Sequence, residues 1–192
     1  MDRESILTSS LVQRLQCIRD YRAGRGKRYP LWMMLLIALL GVMSGCQGYK
    51  ALEEFGIRHH QKLSEVLELN LERMPSDTTL RRMFQAINFE QLTQLFNTWA
   101  KEQFAPQAGE WVAVDGKSIK GTVQNRSDAF QNFVSVVSAY SHQRRVVLAH
   151  KSFENKVRSE IQVVEQLLAE LSLTGVVVSM DALHCQKKPL PV

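Results

Sequence analysis

A chain of 192 residues, 45% of them apolar and 22% charged, has the composition of a folded protein that buries a core in one large or two small domains, and this excludes a disordered polypeptide. Lys and Arg number 24 against 19 Asp and Glu, a formal net charge of +5 that permits an anionic partner such as nucleic acid without requiring one. Cys17, Cys46 and Cys185 are widely spaced, which excludes a disulfide framework or a paired-cysteine zinc knuckle and points to a reducing, cytoplasmic compartment.

From the N-terminus, Leu7, Leu11, Leu15 and Ile18 recur at spacings of three or four and predict an amphipathic helix. A loop follows with Arg19, Arg22, Arg25, Lys27 and Arg28 against one acid, Asp20; it suits phosphate contact or an ordinary solvated turn equally well. The run Leu31–Met43 is hydrophobic all round, but its 13 residues fall short of the roughly 20 that a membrane span needs. It begins too late, and without a small-residue cleavage pattern, for a signal peptide. The expectation is a buried central helix started near Pro30 and stopped near Gly45 or Gly48, with no membrane association.

Tyr49–Phe55 predicts a short helix closed by Gly56, followed by His59 and His60 in a polar loop. No cysteine or acid stands at ligand spacing from these histidines, so they read as solvent-facing rather than metal-binding. Leu63, Val66, Leu67 and Leu71 mark another helix. Residues 74 to 84 then read as loop, N-cap at Ser76 or Asp77, and helix, with Leu80, Phe84 and Ile87 inside and Arg81 and Arg82 directed partly outward. Two short helices with arginines near the start of the second are compatible with a reader of duplex DNA, and equally with any small bundle. Phe89, Leu92, Phe96 and Trp99 carry the helical period to about Phe104, and Ala105–Gly109 reads as a boundary. Residues 1–108 are thus expected to be an all-helical unit.

After Gly109 the pattern becomes strand-like. Val112–Val114 predict a buried strand that ends on Asp115 and turns at Gly116 and Gly121, with Lys117 and Lys120 beside the aspartate either to meet a DNA phosphate or to balance charge. Residues 130 to 140 and 145 to 150 predict two further strands, Lys156–Leu171 a helix buried through Val157, Ile161, Val164, Leu168 and Leu171, and Val176–Met180 a strand ending on Asp181. Strand, strand, strand, helix, strand makes 109–192 a mixed sheet and the whole chain α+β, the first three strands antiparallel and the fourth returned in parallel by the helical crossover. Asp115 and Asp181 at one edge of such a sheet would repel each other unless a cation lay between them. His184 and Cys185 invite a metal or thiol reading, but adjacent side chains diverge and a packing or solvent role is favoured.

Four segments, taken together, carry a resemblance. Met74-Pro-Ser-Asp-Thr-Thr79 with Arg82 and Phe84, Val114-Asp-Gly-Lys-Ser118, Asn155–Ile161 ending in Ser159-Glu-Ile161, and Val178–Lys187 resemble the DDE-type insertion-sequence transposases of the H-repeat-associated branch. The resemblance implies a helical transposase-associated domain followed by a ribonuclease-H-like catalytic domain, of which 109–192 would be the N-terminal part. It further implies that Asp115 and Asp181 are the first and second catalytic aspartates and Mg2+ ligands, with no organic cofactor, for metal-dependent cleavage and transfer of DNA strands. The partners it implies are double-stranded DNA at element ends and a homo-oligomer or full-length transposase. The family's third residue, a glutamate on a later helix, has no counterpart here, because Glu160, Glu165 and Glu170 all precede Asp181. The expectation is therefore a truncated transposase, inactive alone and holding Mg2+ weakly; the alternative is a noncatalytic DNA-binding or transposition-regulating protein.

Overall fold

The structure, a computed structural model, describes residues 10–24, 27–124, 132–171 and 173–181. Among these, seven helices precede or flank a four-stranded mixed sheet, an α+β architecture with the helices first. The chain divides into two compact units between Leu95 and Phe96.

The first unit contains α1 (Ser10–Gln16), α2 (Leu31–Met43), α3 (Gly48–Arg58), α4 (His60–Leu67), α5 (Asp77–Ala86) and the start of α6 (Phe89–Gln103). Pro30 sets the start of α2 with φ −55, and the helix ends at Ser44. Its composition makes it the centre of the core, where Met33, Met34 and Ile37 are fully enclosed and join Leu52, Leu80 and Met83. Gly41 allows α3 to approach closely: a Cβ there would lie 2.5 Å from the Leu52 side chain. No single helix among the described residues is long and apolar enough to cross a membrane; α2 and α3 pass such a test only as a pair bent by 102°.

Several local expectations shift. Gly56 does not close α3 but sits buried inside it, where Met74 packs against its bare α-carbon, so the helix runs on to Arg58. His60 opens α4 and its Nε2 meets the Leu71 carbonyl at 2.6 Å, while His59 stays exposed with its ring 4.6 Å from that of Phe55. Ser76 is the N-cap of α5 and accepts from the Thr79 amide at 3.3 Å. The inward stripe is Leu80, Met83 and Ile87; Phe84 is only half-buried, against Tyr49. Leu7 lies outside the described residues, and Val12 and Leu15 supply the buried side of α1.

The second unit holds the rest of α6, β1 (Trp111–Gln124), β2 (Asn132–Ser141), β3 (Val146–Glu154), α7 (Glu160–Leu171) and β4 (Val177–Met180). The sheet order is β3-β2-β1-β4, with β1–β2 and β2–β3 antiparallel and β1–β4 parallel, as the helical crossover requires. Helix passes to strand between Gln103 and Trp111, some residues beyond the division at Leu95, because the second half of α6 belongs with the sheet. There Asn97 donates to the His150 carbonyl at 2.9 Å and accepts from its amide at 3.0 Å, so a side chain pairs with the outer edge of β3.

At the start of β1, buried Glu110 accepts from the Ser141 hydroxyl and from the Gln107 amide at 2.9 Å and stands 3.4 Å from Arg144 Nε. Burial alone would raise its pKa; the Ser141 hydroxyl, the Gln107 amide and the Arg144 charge outweigh burial and hold it below the ordinary carboxylate value. α7 covers one face of the sheet through Val163, Val164, Leu167 and Leu171. Ser159 and Gln162 form a capping box, each side chain meeting the other's amide at 3.4 and 3.3 Å, so the helix starts at Glu160. Val157 therefore precedes the helix and is 70% exposed, and the buried stripe is displaced from the one expected.

Candidate functional site

β1 does not turn at Gly116. Its pairing with β2 continues from Val112↔Ser141 to Ile119↔Val134, so Asp115 lies inside the strand and not at its end. Alternation puts Val112 and Val114 in the core beneath α7 and leaves Asp115 exposed on the opposite face. The parallel register runs Trp111↔Val177, Val112↔Val178, Ala113↔Ser179 and Val114↔Met180. The pairing ends there; Asp181 is exposed and immediately follows β4, and one further step of the same register would set it beside Asp115. Neighbouring strands lie about 4.8 Å apart and in-register side chains share a face, so continuing this register by one residue would bring the two aspartates to the same end of the sheet.

The same row continues across the sheet: Asp115 pairs with Ser138, and Ser138 with His150. The His150 ring lies 5.2 Å from Phe96, and burial lowers its pKa below the ordinary 6.5, leaving it neutral at pH 7. Lys117, paired with Val136, shares the Asp115 face, and both Lys117 and Lys120 are exposed. Ser138 and His150 were not legible as site neighbours, because their shared row depends on strand register.

Glu160 lies against β1 on the other side, at Gly116. Its carboxylate lies against Gly116 of its own chain: a Cβ added at Gly116 would stand 2.5 Å from Glu160 Cδ, 2.5 Å from Oε1 and 2.7 Å from Oε2. Gly116 is required here for close approach rather than for a turn. The capping box at Ser159 and Gln162 is the sequence signal that fixes Glu160 at the first turn of α7. Among the described residues, no three His, Cys, Asp or Glu side chains are grouped closely enough to hold a metal ion.

The basic candidates divide. Arg22 is not a free phosphate ligand: its side chain is 12% exposed, its guanidinium bonds Asp20 at 2.9 and 2.8 Å, and it donates to the Tyr29 carbonyl at 2.6 Å. Lys27, Arg28, Arg81 and Arg82 are exposed, while Arg25, His184 and Cys185 lie outside the described residues.

Residues 12–100 match the protein-family model described as DDE_Tnp_1-associated. Over 177 residues the chain is 25% identical to the H repeat-associated putative transposase YhhI of Escherichia coli (strain K12), covering 92% of this chain and 46% of the relative. It is 28% identical over 178 residues to the putative transposase YncI of Escherichia coli O157:H7, covering 93% and 45%. It is 25% identical over 177 residues to the H repeat-associated putative transposase YbfD of Escherichia coli (strain K12), covering 92% and 68%. The chain thus spans about half the length of the first two of these relatives.

Proposed function

We propose that this chain, which belongs to the DDE transposases in their H-repeat-associated branch, carries part of a metal-dependent centre for cleaving and transferring DNA strands, with Asp115 and Asp181 as its acidic ligands. The observation that carries the reading is the parallel β1–β4 register, which runs up to these two exposed aspartates from the same direction. A cation between the two carboxylates would be held by both charges. The donor set suits Mg2+, which keeps several waters and takes one or two carboxylates together with substrate phosphates. When bound, Mg2+ supplies charge neutralisation at the transferring phosphoryl group and an acidified water.

The chain's own residues do the rest. Val112 and Val114, buried beneath α7, hold the β1 backbone so that Asp115 is presented on a rigid strand. Lys117, exposed on the same face, adds a cation for the DNA backbone. Two acids without a third ligand among the described residues would hold one ion weakly, and the chain by itself is expected not to cleave DNA. The second reading, a noncatalytic DNA-binding regulator, is favoured by the exposed Arg81 and Arg82 of the helical unit.

Duplex binding to DNA carrying the element ends, measured with and without Mg2+, separates the two. The catalytic-centre reading expects affinity to rise with Mg2+ and the rise to disappear in Asp115→Asn. Binding that is indifferent both to Mg2+ and to this substitution would leave only the regulator.

A further inference from the structure

The segments 19–24 and 27–29 of the basic loop are each tied to the neighbourhood of helix α5 by a tyrosine. The Tyr21 hydroxyl donates to the Met83 carbonyl in the last turn of α5 at 2.7 Å, and the Tyr29 hydroxyl donates to the Met74 carbonyl, just ahead of α5, at 3.2 Å. The loop is also closed on itself: Arg22 bonds Asp20 and the Tyr29 carbonyl, so the loop's one acid is neutralised internally. What remains outward is positive. Arg19, Lys27 and Arg28 are exposed on the loop, and Arg81 and Arg82 are exposed on α5.

The outer stripe of α5 strengthens the case. Thr78, Arg81, Arg82 and Gln85 stand at i, i+3, i+4 and i+7, all exposed, opposite buried Leu80 and Met83. Arg81, Arg82 and Gln85 can each donate a hydrogen bond to a phosphate or a base edge, while the Thr78 hydroxyl donates to Asp77, the exposed acid at the start of α5, at 2.9 Å. On α4 the exposed Lys62 is paired with Glu65 at 3.5 Å. Arg81 and Arg82 have no ion pair of this kind among the described residues.

We infer that Arg19, Lys27 and Arg28 and the outer stripe of α5 form one surface that holds duplex DNA by its phosphates, with Tyr21 as the residue that positions the segment 19–24 beside the helix. The inference rests on the reading of the chain as a DNA-handling protein and adds the surface that does the handling. Arg22, the most enclosed of the loop's described basic residues, is its internal brace and not a contact.

The test is titration of the full chain with a labelled duplex across a range of salt. Each phosphate contact contributes about −0.9 to the slope of log affinity against log salt, so five cations give a slope near roughly −4.5. Arg81→Ala with Arg82→Ala is expected to reduce the steepness by about 2, and Arg28→Ala by about 1. Lys62→Ala, on α4, is expected to leave both affinity and slope unchanged. Tyr21→Phe is expected to weaken binding while keeping the wild-type slope, since the cations remain but their spacing is no longer fixed. Slopes unaltered in the Arg81/Arg82 variant of a DNA-binding wild type would overturn the surface. A poly-glutamate peptide that binds with the same affinity per charge would overturn duplex DNA as its occupant. A wild type that binds no duplex even at low salt would instead sink the DNA-handling reading itself.

Discussion

Gly116→Ala tests the packing around Asp115 with the smallest available change. The new methyl would lie 2.5 Å from the carboxyl carbon of Glu160, whereas carbon contacts settle near 3.5–4 Å, so something must move by about 1 Å. The atoms in the way are the end of a flexible side chain, so the carboxylate yields before β1 does. Replacing glycine inside a strand is worth roughly 0.5–1 kcal/mol in backbone entropy. Against it stand an off-rotamer side chain at about 0.5–1.5 kcal/mol and part of the roughly 0.3–1 kcal/mol that an acid contributes at a helix start. The net effect should lie within about 1 kcal/mol of wild type. The informative quantity is the coupling: in a Glu160→Ala background the clash is gone, and Gly116→Ala should stabilise by roughly 0.5–1 kcal/mol. Urea denaturation of the four proteins gives the cycle. Equal effects of Gly116→Ala in both backgrounds would refute the claim that Glu160 is what the glycine accommodates.

Other expectations concern the two cores and the titrating groups. Ile37→Ala, at a fully enclosed position in α2, should cost about 2–5 kcal/mol in denaturant unfolding of the helical unit. Glu110, with its folded pKa below the ordinary 4.5, contributes stability that is present above that value and is lost as pH falls through the folded pKa; Ser141→Ala, which removes its hydroxyl donor, should cost about 1–3 kcal/mol at pH 7 and flatten acid unfolding below pH 4.5. His150, lowered by burial, favours the unfolded state when protonated, so stability is full above its ordinary value of 6.5 and declines as pH falls below it; an NMR titration should place its midpoint under 6.5.

Much of the fold was legible because its signals are local. The all-apolar run Leu31–Met43 could only be central, Ser76 is a capping residue followed by an amphipathic turn, and three strands followed by a helix and a strand leave few topologies. What escaped depends on partners distant in sequence. Gly116 was read as a turn residue because glycine permits one, yet its neighbour is Glu160, brought there by the crossover. Gly56 likewise looked like a helix stop until Met74 packed on it. The stripe of α7 was misplaced because periodicity does not fix a helix start; the Ser159–Gln162 capping box does, and it leaves Val157 outside. For the site, the two aspartates stood out as recurrent strand-ending acids, though Asp115 proved internal to β1. The row that joins Asp115 to Ser138 and His150 exists only once three strands are in register.

The central claim is that Asp115 and Asp181 together hold a divalent cation. Its most direct measurement is a titration of the chain with Mn2+, which replaces Mg2+ and is read by electron paramagnetic resonance, in wild type, Asp115→Asn, Asp181→Asn and the double variant. The account predicts one weak site per chain, lost in either single variant, with no further loss in the double. Mn2+ binding of equal strength in the double variant would contradict it.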